Sequence, residues 1–319
     1  MTATVGIDIG GSSITAVVRD ESSRIVRRHR CNGSLDGGPE VVASAVAAWR
    51  ALEADDCVAV GVGVPGQVDA SAGAVSLAVN LGIGPEHFPL AGQIAEEIGL
   101  PVFIENDVRM AALGAHEARA IGGAPVESLV LVNIGTGISA GAIVDGFLVR
   151  GAHGLAGEVG HVVVDEAGPL CPCGQRGCLE AVAAGPAIGR VWSTSDGESA
   201  ATGLFSAAAK GDPAAVRAAE PIIEHLTTAL TWLAATYDPE VILLAGGVTS
   251  AGDDLLEALR DEVGARAATS VVAARRLRPD QVVMADREDP PGPRGAAALA
   301  ASQVSRVRVS PASKQASNE

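Results

Sequence analysis

The chain has 319 residues and a formal net charge of −15, and this length suits two domains or one large domain with a core of its own. Hydrophobic residues make up 48% of the sequence, which excludes an intrinsically disordered protein. The acidic charge balance argues against a nucleic-acid partner, because nucleic-acid binding requires a basic surface that displaces counterions.

The first predicted elements form a β-hairpin. Residues 4–9 (TVGIDI) predict a strand, residues 10–13 (GGSS) a tight turn and residues 14–20 (ITAVVRD) a second strand. The same N-terminal residues contain no basic segment followed by an apolar stretch, so we expect no secretory signal.

Helices and strands then alternate, which is typical of an α/β architecture. Aromatic residues are only 3% of the chain, so Ala, Val, Leu and Ile must form the core between these elements. The predicted elements are a helix over 39–54, a strand over 57–65, a helix over 90–99, a strand over 101–107 and a helix over 108–120.

The most apolar stretch, residues 129–149, is long enough to suggest a membrane span. It is interrupted by four glycines and by Asp145, and β-branched residues flank its turn-like centre. These features predict two buried strands around a glycine-rich turn. We therefore expect a cytoplasmic protein that does not enter a membrane.

The remainder of the chain continues the α/β pattern. Residues 150–180 are rich in glycine and predict irregular structure. The later expectations are a helical region over 181–236 with a loop near 193–203, a strand over 240–248, a helix to about 265, and an acidic, proline-rich loop over 284–294.

The order of these predicted elements indicates two lobes. We expect a small N-terminal α/β lobe over residues 1–110 and a large α/β lobe over 111–294. A short helix over 295–304 is expected to return to the N-terminal lobe, and the polar tail 305–319 to be disordered.

The turn after the first strand is the first candidate functional segment. Backbone N–H groups at Gly10, Gly11 and Ser12 could hold phosphate oxygens, and Asp8 could bind Mg²⁺ directly or through water. By itself the pattern also fits an ordinary hairpin turn.

Two further glycine-rich segments are candidate contacts for a nucleotide. Gly135, Thr136 and Gly137 form a second strand–turn–strand pattern, while Gly246 and Gly247 follow a strand and precede a helix, where an adenosine could bind. Each segment alone fits ordinary turn chemistry. Their joint occurrence favours a nucleotide held between two similar halves of the chain.

Asp107 is the candidate general base, since it ends a predicted strand within the motif 105–107 (END). A carboxylate there could accept a proton from a substrate hydroxyl as that oxygen attacks phosphorus. Asp107 also precedes a predicted helix, so it could be an N-cap. Spacing alone does not separate these two roles.

Three of the five cysteines, Cys171, Cys173 and Cys178, lie within eight residues. Such a cluster could form disulfides, a redox site or a metal site, and disulfides are not expected in the cytoplasm. Three thiolates leave one tetrahedral position for structural zinc, and His161 is the nearest candidate.

These motifs together resemble the ROK family of sugar kinases and sugar-responsive repressors, which have the two-lobed, actin-like (ribonuclease-H-like) fold. The resemblance extends over about residues 4–250. The matching segments, in the order of the family, are 8–11 (DIGG), 61–69 (GVGVPGQVD), 80–81 (NL), 105–107 (END), 133–137 (NIGTG), 154–161 (GLAGEVGH), 171–180 (CPCGQRGCLE) and 246–247 (GG).

The resemblance implies ATP-dependent phosphorylation of a hexose, with glucose as the expected substrate and glucose 6-phosphate as the product. It makes Asp107 the general base, Asp8 the Mg²⁺ group, and the glycine-rich turns the ATP phosphate sites. The zinc ligands would be His161, Cys171, Cys173 and Cys178. The sugar contacts would be Gly66, Asn106, Asp107, Glu158, His161 and Glu180.

The sequence departs from the family pattern at the first turn, which reads GGSS where the family usually has GGTK. The second turn also differs, with Ser139 and Ala140 in its middle. The phosphoryl donor is therefore left open, although a polyphosphate-dependent kinase is not favoured because such members lack the cysteine motif.

Other members of the family remain alternatives. The substrate could be N-acetylmannosamine, N-acetylglucosamine or fructose, or the protein could be a non-catalytic sugar sensor. The repressor branch is not favoured, because a strand is predicted from residue 4 and leaves no room for a helix-turn-helix. We expect a homodimer or homotetramer.

Overall fold

The computed structural model describes residues 3–11, 13–33, 35–194, 197–286 and 289–309, with the side chains of 306–309 left aside. The chain forms two compact units. The first takes in the chain as far as Gly123 and again from Pro290, and the second is Ala124–Asp289. The first unit is therefore discontinuous in sequence, because the C-terminal segment belongs to the same unit as the N-terminal segment.

The first unit contains seven strands and four helices among its described residues. Its strands are β1 (Ala3–Ile9), β2 (Ile14–Arg19), β3 (Ile25–Cys31), β4 (Cys57–Val64), β5 (Gln67–Asp69), β6 (Ala74–Ser76) and β7 (Val102–Asn106). Its helices are α1 (Gly38–Arg50), α2 (Leu90–Ile98), α3 (Asp107–Ile121) and, at the end of the chain, α10 (Pro291–Val309).

Five of these strands form one mixed sheet in the order β3-β2-β1-β4-β7. β1, β2 and β3 pair antiparallel, while β4 pairs parallel with both β1 and β7. Val5, Ile7 and Ile9 of β1 are fully buried in a core that includes residues of α1 and α2. These apolar residues, two apart along the strand, share one face of the sheet, as the sequence pattern predicts.

The second unit has a sheet of the same design. Its strands are β8 (Leu129–Ile134), β9 (Ile138–Val144), β10 (Phe147–Leu148), β11 (Val241–Ala245) and β12 (Val282–Met284), in the order β10-β9-β8-β11-β12. Its helices are α4 (Leu179–Ala183), α5 (Gly185–Val191), α6 (Ala200–Ala209), α7 (Pro213–Tyr237), α8 (Asp253–Thr269) and α9 (Val271–Arg276).

Both five-stranded sheets therefore share one topology, in which an antiparallel three-stranded meander is extended on its first strand by two parallel strands. Within the apolar stretch 129–149, β8 and β9 are the two predicted strands around a turn, and both are largely buried. The short β10 was not predicted, and its Phe147 is exposed. Within the described part of the chain, no helix is both long and apolar enough to cross a membrane.

Helix α10 lies in direct backbone contact with its neighbours in the first unit. A Cβ atom added at Gly6 of β1 or at Gly61 of β4 would overlap the backbone of α10 at Pro293 and Ala296, respectively. Thr4 of β1 donates a hydrogen bond to the carbonyl oxygen of Ala297, at 3.0 Å.

Helices α3 and α10 also meet through glycines. A Cβ atom at Gly114 would overlap Pro291 O, and one at Gly295 would overlap Met110 O. No side chain separates the two helices at this crossing, so their backbones approach as closely as backbones can.

The C-terminal region differs from the sequence-based expectation. A loop was expected over 284–294, but α10 begins at Pro291. Proline suits the first turn of a helix because its fixed φ fits there and its missing N–H has no partner to lose. The helix also continues to Val309, so residues 305–309 of the expected tail are helical, while 310–319 lie outside the described residues.

We expect Gly295→Ala to lower the free energy of unfolding by about 1–3 kcal/mol, because the new methyl group must displace α3. Gly92 in α2 is an exposed helical position, and a methyl group added there would meet open space. Gly92→Ala should therefore raise the free energy of unfolding by about 0.5–1 kcal/mol. Chemical denaturation of both variants measures the two effects, and shifts of the same sign would contradict the packing described here.

Candidate active site

The junction of β7 and α3 holds the motif Glu105-Asn106-Asp107. Glu105 is 1% exposed and accepts a hydrogen bond from Arg109 Nε at 2.8 Å, and Arg109 is 2% exposed. Glu105 also accepts a hydrogen bond from the backbone N–H of Asn106 at 2.9 Å. A buried ion pair thus fixes the backbone where the strand passes into the helix.

Asn106, and not Asp107, is the N-cap of α3. Its side-chain oxygen accepts hydrogen bonds from the backbone N–H groups of Val108 and Arg109, at 3.1 and 3.2 Å. Its amide nitrogen donates to the carbonyl oxygen of Gly66 at 3.3 Å. Asp107 is the first residue of the helix, so the capping role left open by the sequence belongs to its neighbour.

Asp8 is half-buried near the end of β1. Its carboxylate lies against the first turn of α10, where a Cβ atom on Gly292 would be 2.6 Å from Asp8 Oδ2. Burial, together with the negative charge of Asp107, raises the pKa of Asp8 to about 7. A cation at this position would therefore be favoured, since it would relieve the repulsion between the two carboxylates.

The first glycine-rich turn closes the β1–β2 hairpin. Gly10 N–H donates to Ser13 O at 2.9 Å, and Gly11 is exposed. Ser12 lies outside the described residues. Gly66, another predicted site residue, has φ +101°, and a Cβ atom there would be 2.8 Å from the Ala78 side chain.

The second glycine-rich turn closes the β8–β9 hairpin in the other unit. Gly135 N–H donates to Gly137 O at 2.9 Å, and Gly135 O accepts from Gly185 N–H at 2.8 Å. Gly246 packs against the end of β8, where a Cβ atom would be 2.5 Å from Ile134 O. The structure therefore brings the second turn and the 246–247 pair together, as the nucleotide interpretation requires.

The segment 154–161 follows β9 closely because of two glycines. Gly157 has φ +99°, and a Cβ atom at Gly157 or at Gly160 would overlap the backbone of β9. The backbones of Ala140 and Gly157 are hydrogen bonded at 2.8 Å. This contact places Glu158 and His161 beside the strand that leaves the second turn.

His161, Cys171, Cys173 and Cys178 form one cluster, in which the ligand atoms all lie within 4.8 Å of one another. Cys173 Sγ and Cys178 Sγ are 3.6 Å apart, and Cys171 Sγ is 3.8 Å from His161 Nδ1. Bonds of about 2.3 Å in a tetrahedron separate sulfur atoms by about 3.8 Å. The four donors therefore fit a zinc ion in number, chemistry and spacing.

The three thiols differ in their surroundings. Burial raises the pKa of Cys171 to about 12 and also raises that of Cys178. Hydrogen bonding from the backbone at Gln175 lowers the pKa of the exposed Cys173 to about 6. Metal binding at this cluster must therefore release protons from the two buried thiols.

Glu180, at the start of α4, lies between the cysteine cluster and the second turn. Its Oε1 is 3.2 Å from Cys171 Sγ and 3.7 Å from His161 Nδ1. Its Oε2 would be 2.8 Å from a Cβ atom on Gly137. One carboxylate therefore contacts the predicted metal ligands and also faces the predicted phosphate turn.

The chain is similar to known proteins over most of its length. The ROK family model matches residues 4–303. The chain is 32% identical to the glucokinase of Halalkalibacterium halodurans, with 86% of this chain and 89% of the relative covered. It is 31% identical to the N-acetylmannosamine kinase of Citrobacter koseri, with 77% and 83% covered.

The ROK family glucokinase of Streptomyces griseus, solved in complex with glucose and AMPPNP, has the same fold. It is 30% identical, with a TM-score of 0.73 and with 94% of this chain and 99% of that chain covered. The chain belongs to the ROK family. The predicted fold class is thereby confirmed as the α/β, actin-like fold of the ROK sugar kinases.

The ROK motifs divide between the two units. The first unit carries Asp8, Gly66, Asn106 and Asp107, and the second carries the second turn, the 246–247 pair, Glu158, Glu180 and the cysteine cluster.

The sequence analysis did not predict a role for Arg109. The signal was present, because an acid and a base four residues apart across the start of a helix are spaced to form an ion pair.

Arg109→Met should lower the free energy of unfolding by about 3–5 kcal/mol, because it removes the guanidinium charge that balances the buried Glu105 carboxylate. Glu105→Gln/Arg109→Met should be less destabilised than Arg109→Met alone, since no buried charge remains. Urea denaturation of the wild type, Arg109→Met, Glu105→Gln and the double variant gives the four free energies of a double-mutant cycle. Strict additivity of the two single effects would contradict a direct ion pair.

Proposed function

We propose that this ROK family protein is an ATP-dependent hexose kinase that converts glucose to glucose 6-phosphate. The observation that carries the proposal is the position of Asp107 at the start of α3, beside Asp8, while the N-cap role belongs to Asn106. One oxygen of Asp107, Oδ1, accepts a hydrogen bond from Val108 N–H at 2.9 Å. A glucokinase of the same family with glucose and AMPPNP bound supports both substrates.

Asp107 acts as the general base. Its carboxylate accepts the proton of the substrate hydroxyl as that oxygen attacks the terminal phosphorus of ATP. Glu105 and Arg109 keep the backbone of this segment in place without touching the substrate. Asn106 contributes its remaining amide hydrogen to the sugar, because its oxygen is engaged in the helix cap.

The sugar hydroxyls are bound by Glu158, His161 and Glu180, together with the segment at Gly66. Carboxylates and an imidazole suit this purpose, because each exchanges hydrogen bonds with neighbouring hydroxyl groups. His161 presents Nδ1 to the cysteine cluster, so its Nε2 is the nitrogen assigned to the sugar.

The phosphates of ATP are bound by the backbone N–H groups of the two glycine-rich turns. These turns are Gly10, Gly11 and Ser12, and Gly135, Thr136 and Gly137. The N–H groups of Gly10 and Gly135 close their own hairpins, so the remaining N–H groups of each turn are the ones assigned to phosphate. Gly246 and Gly247 are assigned to the adenosine. Asp8 holds Mg²⁺, which neutralises phosphate charge when bound.

Structural zinc is assigned to His161, Cys171, Cys173 and Cys178. With all four positions supplied by these residues, a bound zinc would be structural and would hold the surrounding loops together. Glu180 and His161, which both contact Cys171, would thereby be held in place as two of the sugar contacts. The expected homodimer or homotetramer stays a prediction, which a mass measurement in solution would check.

A second candidate substrate is N-acetylmannosamine, because a kinase for that sugar is 31% identical to this chain. The two sugars differ at C2 and share the hydroxyl that is phosphorylated. A screen of both sugars, with N-acetylglucosamine and fructose alongside and ADP release as the readout, ranks them by kcat/KM. A higher kcat/KM for glucose than for any other sugar supports the first candidate.

Asp107→Asn should reduce kcat for glucose phosphorylation by about 10²–10⁴-fold while the Kd for glucose stays within about threefold of the wild-type value. The amide keeps the shape of the side chain but cannot accept the proton. Steady-state kinetics and calorimetric titration with glucose provide the two numbers. Near-normal turnover in this variant would exclude Asp107 as the base.

Cys173→Ala should lose zinc and bind glucose at least about 10-fold more weakly, because loss of the metal releases Glu180 and His161. Cys31→Ala, a cysteine remote in sequence from the cluster, is the matched control and should retain zinc and affinity. Elemental analysis should give one zinc per wild-type chain. If Cys173→Ala is folded and free of zinc yet binds glucose with wild-type affinity, the metal does not support sugar binding and the prediction is wrong.

A further inference from the structure

The first glycine-rich turn has no basic side chain nearby in the sequence. Residues 1–18 contain neither lysine nor arginine, and Lys210 and Lys314 are the only lysines in the entire chain. The phosphates of ATP carry several negative charges, and backbone N–H groups offer only partial positive charge to them. A cation supplied from elsewhere in the fold would complete such a site.

The register of the first sheet places Arg30 in line with Asp8. Asp8 of β1 pairs with Thr15 of β2, and Thr15 pairs with Arg30 of β3. Side chains of directly paired residues lie on the same face of a sheet, and two strand spacings separate their backbones by roughly 10 Å. Arg30 therefore lies on the Asp8 face of the sheet, at the level of the first turn.

The side chain of Arg30 extends to the turn itself. Its Nη2 is 3.4 Å from Ser13 Oγ, and the residue is exposed. A guanidinium has five N–H donors in a planar fork, so a contact with one serine oxygen leaves donors for a ligand. Ser13 is neutral, and this contact does not cancel the charge.

We propose that Arg30 binds a phosphate group of ATP at the first turn, an assignment that rests on the kinase function proposed above. Asp8 and Arg30 then flank the phosphates, with the carboxylate on the Mg²⁺ side and the guanidinium on phosphate oxygens. Arginine suits this position because its fork can donate two parallel hydrogen bonds to one phosphate. Arg30 is thus a binding residue for the phosphoryl donor.

The neighbouring arginines of β3 have different surroundings. Arg27 lies three register positions from Arg30, on the opposite face, where its Nη1 donates to Leu52 O at 2.7 Å. Arg28 shares the face of Arg30 but lies two residues further from the turn, about 7 Å along the strand. Arg28 is therefore the matched control, because its loss changes the same charge on the same surface.

The test measures binding of MgATP, MgADP and adenosine by calorimetric titration to the wild type, Arg30→Gln, Arg30→Lys and Arg28→Gln. Arg30→Gln should weaken MgATP binding roughly 10- to 100-fold, the effect of one charge-assisted contact, and leave adenosine binding unchanged. Arg30→Lys should recover part of the loss, and Arg28→Gln should stay within about twofold of the wild type.

Kinetics add a second readout. In Arg30→Gln, the KM for MgATP should rise while the KM for glucose stays the same. The assignment is overturned if Arg30→Gln binds MgATP like the wild type, if Arg28→Gln loses as much affinity as Arg30→Gln, or if adenosine binding falls in parallel with MgATP binding. Such results would show, respectively, no contact, a long-range charge effect, or a disturbed fold.

The same data separate this assignment from the kinase function. If the wild type phosphorylates no hexose yet its MgATP affinity depends on Arg30, the function fails and the assignment stands. If the wild type phosphorylates glucose and Arg30→Gln has normal MgATP affinity, the assignment alone fails. A wild type with no affinity for MgATP overturns both.

Discussion

Direct backbone contact between α10 and its neighbours is the constraint on which the first unit depends. Glycines in β1, β4 and α3 bring the main chain of these elements directly against the main chain of α10, so main-chain atoms set how closely they approach. Main-chain contacts cannot adjust by rotamer changes, and close-packed interiors transmit rather than absorb displacement. Asp8 and Asp107 both lie on elements fixed in this way, which gives the two carboxylates a rigid support.

The second unit also contains close backbone contacts at glycines. Gly157 and Gly160 let the segment that carries Glu158 and His161 lie against β9. Glu180 then joins this segment to the cysteine cluster on one side and to the second turn on the other. Backbone contacts and polar contacts together therefore bring Glu158, His161 and Glu180 close to one another.

Much of this arrangement could be predicted from the sequence, because its strongest signals are local. Alternating apolar residues identified β1 and β2, and glycines between β-branched runs identified the β8–β9 hairpin. The spacing of Cys171, Cys173 and Cys178 indicated one cluster, since short loops between ligands hold them within reach of one ion. Asp107 was predicted as the base from the motif that it ends and from the family resemblance, and its role stays a prediction.

The features that could not be predicted depend on tertiary context. Three arginines and one histidine lie among the seven residues of β3. Its strand conformation comes from pairing with β2 rather than from apolar periodicity. The start of α10 contains two prolines and a glycine that suggest a loop, and the helix is stabilised by packing on the sheet. The choice between Asn106 and Asp107 as the N-cap differs by one residue, beyond what spacing resolves.

The discontinuity of the first unit has a consequence for biosynthesis. During translation the second unit is completed as a continuous segment, whereas β1, β4 and α3 are synthesised long before α10. Until α10 emerges from the ribosome, the glycine-lined surfaces at Gly6, Gly61 and Gly114 have nothing to pack against. The N-terminal segment of the first unit must therefore await the synthesis of α10, and it is the part that chaperones would be expected to protect.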